Sequence, residues 1–369
     1  MPNVRWFYFD LPRWASFWKR GRRGIHLYYC LWQIGAYFLA KRLHQQKPFD
    51  LTHHVTLVNY WLPIYLGHLP APLIWGPVGG GESAPPGFWR CWSFRGKAYE
   101  FSRQLGWWLG RINPFVRHTA RQAASVLATT DETAKRLREL GCRRVQICSQ
   151  VGLPQNEIKQ LKIFPLLREA KTFRVLSVGS FVHFKGFELG LQAFTRFHRR
   201  FPQSEYWLLG DGPEKGRLER LARRLGVAAQ VGFFGEVPRS EVLARLGECD
   251  VLLHPTLHDS GGWASLEAMA AGRPVICLDR GGPALQVTSE TGIKVAAISP
   301  SQVVADVAEA LVGLASDPER RACLGARARA RVQDFCWDRK GEDLMAVYSE
   351  AVRGTAGEAC QDVYGFLRS

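Results

Sequence analysis

From residue 171 onward, short apolar runs alternate with amphipathic stretches. Phe173–Val178 (FRVLSV) is an apolar run that stops at Gly179, and helical spacing of apolar positions then takes over from Glu188 to Phe197. The exchange repeats. It predicts strands at Tyr206–Leu209, Val231–Phe234, Val251–Leu253 and Pro274–Leu278, with helices at Arg217–Leu225, Ser240–Leu246 and from about Ala264 to Ala271. Val303, Val304, Val307, Leu311 and Leu314 fall on one helical face, and Pro318–Val332 reads as a further helix. Short strands exchanging with helices in this way predict a parallel sheet with crossover helices.

The first half alternates less cleanly, with strands predicted at Val4–Phe9, Leu51–Thr56, Leu73–Trp75, Ser125–Ala128 and Val145–Ile147. The expected organisation is therefore two α/β domains, 1–160 and 166–337, joined near Gly152–Leu166. In open sheets of this kind ligands bind at the carboxyl ends of the strands, which here means the cleft between the domains.

Composition narrows the class. With 46% hydrophobic and 22% charged residues the 369-residue chain is neither disordered nor fibrous. No apolar run approaches the length of a membrane-spanning helix. The nine cysteines are odd in number, scattered and without a Cys-x-x-Cys pair, which argues against a disulfide framework or a zinc site and for a reducing, cytoplasmic setting. Met1 to Asp10 lacks the basic-then-apolar order of a signal peptide.

Charge divides the chain. Residues 1–170 hold 24 Lys and Arg against 9 Asp and Glu, whereas residues 171–369 hold 25 against 24; ten of the thirteen Trp lie in the first 108 residues. A basic, aromatic-rich half suits an anionic partner. Lys19-Arg20-Gly21-Arg22-Arg23 precedes an apolar segment, Gly24–Ala40, that His26 and Gln33 interrupt. It reads either as a domain helix or as a helix lying on the anionic inner face of a membrane. No nucleic-acid-binding module accompanies the charge, so nucleic acid is not expected as a partner.

The strongest chemical pattern is Asp259-Ser-Gly-Gly-Trp-Ala-Ser-Leu-Glu267, followed by Ala-Met-Ala-Ala-Gly-Arg-Pro-Val-Ile276. Gly261 and Gly262 allow close backbone approach, and free amides at the following helix start favour a phosphate. Glu267, one turn in, suits ribose hydroxyls. A second pattern, Gly179-Ser180-Phe-Val-His-Phe-Lys185-Gly186, is a turn after a strand whose Lys places a cation on a diphosphate. Gly210-Asp-Gly-Pro213, Phe233-Phe234-Gly235 and Arg280-Gly-Gly-Pro283 follow in order.

Together these motifs resemble family 4 glycosyltransferases, whose GT-B fold pairs two Rossmann-like domains. The resemblance implies a retaining enzyme that moves a hexose from a UDP- or GDP-sugar, without a metal or other cofactor, to a glycan or lipid-linked acceptor in polysaccharide biosynthesis. The first acid of the family's motif is usually Glu, and here it is Asp259. Ser180 stands where the family commonly carries an Arg that grips the diphosphate with the Lys, and His183 is the nearest replacement in sequence. Phe233 and Phe234 fall where the family's backbone frames the base.

In the first half, Phe49-Asp50-Leu-Thr-His53-His54 resembles the family's strand-end Asp-x-x-His, whose histidine faces the sugar; His53 fits by position and His54 is the alternative. Trp75-Gly-Pro-Val-Gly79-Gly80-Gly81-Glu82 is either an acceptor-side loop or a tight turn. A helix over 338–352 fits the family's C-terminal helix that crosses back onto the first domain. The family's first domain opens with a strand and a Gly-Gly loop that have no counterpart before Val4, so the N-terminal domain is expected to be incomplete, by roughly 60–80 residues. The competing expectation is a non-catalytic donor-binding or membrane-associated scaffold of the same fold.

Overall fold

The computed structural model describes residues 3–19, 21, 24–55, 57 and 59–366, with side chains to residue 354. The helices are α1 (Arg13–Ser16), α2 (Ile25–Gln46), α3 (Phe94–Ile112), α4 (Pro114–Gln122), α5 (Asp131–Leu140), α6 (Gln155–Lys162), α7 (Phe187–Arg200), α8 (Lys215–Arg224), α9 (Arg239–Glu248), α10 (Trp263–Ala270), α11 (Gly281–Gln286), α12 (Pro300–Ser316), α13 (Pro318–Arg331) and α14 (Trp337–Phe366). The strands are β1 (Thr52–His54), β2 (Leu73–Val78), β3 (Ser125–Ala128), β4 (Val145–Ile147), β5 (Phe173–Val178), β6 (Ser204–Leu209), β7 (Val231–Gly235), β8 (Val251–His254), β9 (Val275–Leu278) and β10 (Gly292–Val295).

They form two parallel sheets, four-stranded in the order β1-β2-β3-β4 and six-stranded in the order β10-β9-β8-β5-β6-β7. The expectation of two parallel-sheet α/β domains is met. In the larger sheet the strand order reverses at β5, which pairs with β6 on one side and β8 on the other. That switch point opens a crevice between the carboxyl ends of β5 and β8.

Alternation along the central strands builds two core layers. Val175, Tyr206 and Leu208 pack on one face of the larger sheet, and Leu176, Trp207 and Leu209 on the other. In the smaller sheet Leu73, Trp75 and Val126 face one layer. Ile74 and Leu127 face the other, where Leu344, Val347, Tyr348 and Ala351 of α14 cover them. The last helix therefore runs from the larger domain onto the smaller one.

Several sequence expectations change. Val4–Phe9 forms no strand; Phe9 packs against Trp32 and meets Gly35 on α2, and Trp32 Nε1 donates to its carbonyl at 2.9 Å. Phe9 alone of the segment packs on the helix, while Trp6, Phe7 and Tyr8 stay exposed. The junction near Gly152–Leu166 contains α6, which Ile158 and Leu161 bury in the larger domain's core. β10 was not expected. No helix among the described residues is long and apolar enough to cross a membrane.

Candidate functional site

Two loops meet at the switch point. The loop after β5 carries Gly179 and exposed Ser180, then a 3-10 turn, His183–Lys185, that ends at Gly186. Gly186 sits at φ 69°, and a Cβ there would lie 2.0 Å from the Pro255 carbonyl oxygen, so the β5 and β8 loops touch backbone to backbone. The loop after β8 carries His254, His258 and Asp259 and leads into α10. Gly262, at φ 77°, starts that helix against Pro283, with only 2.8 Å between a would-be Cβ and Pro283 Cγ.

Lys185 and Asp259 form the centre. Lys185 Nζ donates to Asp259 Oδ2 at 2.5 Å, and Asp259 Oδ1 accepts the Gly261 amide at 2.9 Å. His254 Nε2 lies 3.5 Å from Asp259 Oδ2. Burial alone would raise the Asp259 pKa; His254 and the Lys185 ammonium reverse that and hold the carboxyl well below its usual range. Gln286 Nε2 donates to the Gly261 carbonyl at 2.7 Å and Gln150 Nε2 to Ser260 Oγ at 3.0 Å, which fixes the 259–262 loop.

Glu267 lies one turn into α10, buried, and its Oε1 accepts from Arg239 Nη1 at 2.7 Å. Burial pushes its carboxyl up to about 7; Arg239 opposes the rise and Glu157 adds to it. The strand-end elements Gly210–Gly212 and Phe233–Gly235 lie along the same sheet edge. Phe233 packs edge-on against Phe181, and Phe234 lies under the Arg245 guanidinium at 3.7 Å.

Opposite stands the loop after β2. Glu82 is buried: its Oε2 accepts the Gly80 amide at 2.9 Å, and its Oε1 accepts the hydroxyls of Thr130 at 2.7 Å and Thr133 at 3.0 Å. Its carboxylate thus braces the Gly79–Gly81 loop from within. Arg280 Nη2 reaches across the cleft to the Ser83 carbonyl at 2.6 Å. A cavity of about 810 Å³ lies between the two halves, with Lys185, His258 and Asp259 on one wall, Trp61, Tyr99 and Arg103 on the other, and His26 and Cys30 of α2 also lining it.

His53 and His54 stay out of this cavity. His53 Nε2 donates to the Gly76 carbonyl at 2.6 Å, which leaves Nδ1 to accept from Tyr348 Oη at 2.6 Å. Burial lowers its pKa, and the ring joins β1, β2 and α14 with both nitrogens engaged. His54, buried, pairs with Tyr29 Oη at 2.8 Å. Nor does His183 replace the missing Arg at 180. Its Nε2 lies 3.1 Å from Glu100 Oε1, and Trp92, Tyr99 and Phe184 surround its ring.

Glu100 and Arg103, both on α3, are site residues that sequence reasoning missed. Glu100 Oε1 accepts from His258 Nε2 at 2.7 Å as well as from His183. Arg103 Nη1 lies 2.9 Å from His258 Nδ1, and its Nη2 donates to the Gly80 carbonyl at 3.1 Å. Burial would raise the Glu100 pKa, but the two histidines and Arg103 bring it down to about 2. Burial keeps His258 neutral, with Nε2–H facing Glu100 and Nδ1 facing Arg103. Among the described residues Glu100, His183 and His258 also form a group with donor atoms within 4.8 Å of one another. With both nitrogens of His258 engaged and a guanidinium alongside, this set fits a polar latch between domains better than a metal site. His258 adjoins Asp259 in sequence; nothing else marks a partner 158 residues away.

Two parallel-sheet α/β domains facing each other across a cleft are the architecture of the GT-B class. Its relatives in sequence and structure agree. The family model for glycosyl transferases group 1 matches residues 159–331. A D-inositol 3-phosphate glycosyltransferase of Corynebacterium diphtheriae is 30% identical over 194 residues, 51% of this chain and 44% of that protein. A 2-deoxystreptamine glucosyltransferase of Streptomyces kanamyceticus is 30% identical over 212 residues, 55% of this chain and 54% of that protein. The chain thus spans about half the length of the curated relatives it matches, or less.

Among solved structures, a sucrose-phosphate synthase of Thermosynechococcus elongatus aligns with a TM-score of 0.62 at 19% identity, covering 91% of this chain and 81% of that one. Anabaena HepE, solved with UDP and glucose, aligns at 0.54 and 19% identity, covering 76% and 72%. Both likenesses concern the fold.

Proposed function

We propose that the protein is a retaining glycosyltransferase that transfers a hexose from a UDP- or GDP-sugar to a glycan or lipid-linked acceptor. The observation that carries this reading is the Lys185–Asp259 pair at the N-terminus of α10, inside the stretch that matches the group 1 family model. In this reading the donor diphosphate displaces Asp259 from Lys185. The bond from the anomeric carbon to the diphosphate oxygen breaks, and the Lys185 ammonium and the α10 amides take up the charge that develops on the leaving group. The acceptor oxygen forms the new bond and its proton leaves with the departing phosphate or to solvent.

Asp259 and the Gly261–Gly262 backbone hold the sugar, and Glu267, released from Arg239, takes the ribose hydroxyls. Phe233 and Phe234 flank the base; Gly179 and Ser180 admit the phosphates closely. Among the described residues Arg103 and Lys185 are the Lys and Arg residues that line the cavity, and Arg103 takes the place that Ser180 leaves without a cation. No metal enters this scheme. On the other wall the braced Gly79–Gly80–Glu82 loop frames the acceptor, while His53 and His54 act through the scaffold. The protein works as a peripheral enzyme on the cytoplasmic face of a membrane, the basic first half turned to the anionic surface.

Incubating the full chain with each common UDP- and GDP-hexose, and with lipid and glycan extracts as acceptors, tests the proposal. The expected result is release of one nucleotide together with incorporation of its hexose, both abolished by Lys185→Ala. Tight donor binding with neither transfer nor hydrolysis would overturn it in favour of a donor-binding protein.

A further inference from the structure

The solvent face of α3 is apolar. Phe94, Ala98, Phe101, Leu105, Trp108 and Ile112 are spaced alternately four and three apart, so they form one line along the helix, and all six are exposed. Phe101 is 66% and Trp108 59% exposed. The buried line, Gly96, Glu100, Trp107 and Gly110, runs along the opposite side and carries the latch. α2 repeats the spacing with Leu27, Leu31, Ile34 and Phe38, of which Leu31 is half-buried, the others are exposed and Phe38 is 63% exposed. Cys30 of α2 and Leu109 of α3, each next to its apolar line on the helix, both line the cavity, so the two lines lie beside it. Contiguous apolar surface of this kind marks an interaction face.

Charge decides the occupant. Residues 1–121 hold 16 Lys and Arg against four acids, Asp10, Asp50, Glu82 and Glu100, and Glu82 and Glu100 are buried. Lys97 and Arg111 border the α3 line. A second copy would bring two such cationic faces together and repel, whereas an anionic bilayer accepts both the aromatic side chains and the cations.

We propose that the α2 and α3 lines form a docking face for an anionic phospholipid bilayer, and that a lipid-anchored acceptor enters the cavity beside them. The docking stands on the surface alone; the acceptor route rests on the transfer reading above.

Co-sedimentation of the full chain with vesicles of phosphatidylcholine, with or without about one-third phosphatidylglycerol, tests it at low and high salt. Wild type is expected to sediment with anionic vesicles and not with neutral ones. Phe101→Glu/Trp108→Glu is expected to weaken this about ten-fold or more. Arg223→Gln/Arg224→Gln on α8, the same charge change away from the face, is expected to behave as wild type. A nucleotide-induced thermal shift retained by the stripe variant shows that it is folded. No sedimentation of wild type at low salt would overturn the proposal. So would sedimentation of the stripe variant equal to wild type, or a dimer of wild type that the variant abolishes without any vesicle binding. Vesicle binding without a nucleotide shift in wild type would keep the docking face and remove the transfer reading.

Discussion

Lys185 Nζ and Asp259 Oδ2 lie 2.5 Å apart at the crevice where the larger sheet reverses its strand order. Each side chain is largely buried, so removing the Lys185 charge leaves the Asp259 carboxylate with only the Gly261 amide and His254 beside it. Lys185→Ala is expected to lower stability by about 2 kcal/mol, less than a fully buried pair would cost. Lys185→Met/Asp259→Leu is expected to recover most of that loss without recovering nucleotide binding. Urea unfolding of the two variants, beside a nucleotide titration, separates the two roles.

Glu267 carries a pH signature. Its folded-state pKa, about 7, lies above its ordinary value of 4.5, so the native state binds the proton more tightly than the unfolded chain does. Its contribution to stability is then complete at acid pH and is lost as pH rises from about 4.5 to about 7, a change on the order of 3 kcal/mol. Glu267→Gln is expected to flatten this slope. Melting temperature against pH for the two proteins checks it, and equal slopes would exclude the shift.

Glu100 has the opposite sign. Held down to about 2 by the latch, its carboxylate stabilises the fold above about pH 4.5, and that stabilisation fades as pH falls toward 2. Glu100→Gln is expected to cost on the order of 3 kcal/mol at neutral pH and little at the acid end. Because His183 and His258 reach Glu100 from the other domain, the same variant is expected to enlarge the radius of gyration in solution scattering.

Most strand positions in the larger domain were legible because each is a short apolar run, most of them closed by a glycine or proline, as with Phe173–Val178 before Gly179. β10 escaped because Gly292-Ile-Lys-Val295 is brief and carries a lysine. α3 escaped for a physical reason: its apolar line faces solvent and its buried line is made of glycines, a glutamate and one Trp, the reverse of an ordinary amphipathic helix. The Lys185, Asp259 and Glu267 motifs are local, and local spacing suffices to find them. The latch joins α3 to two loops far along the chain, and His53 is drawn away from the cleft by Tyr348, 295 residues distant. Neither relationship leaves a local trace.

The His53–Tyr348 contact adds a hydrogen bond to the apolar packing by which α14 holds the smaller sheet. Tyr348→Phe removes one partly buried hydrogen bond and is expected to cost about 1 kcal/mol. Faster amide exchange along the described part of α14, with the larger domain unchanged, is the expected readout.

The central claim is that the Lys185–Asp259 crevice binds the diphosphate of a nucleotide-sugar. Calorimetric titration of the wild type and Lys185→Ala with UDP and GDP tests it most directly. One site per chain for one of the two nucleotides, weakened about ten-fold or more in the variant, is the predicted result. Equal affinity in both proteins, or no binding of either nucleotide to the wild type, would contradict it.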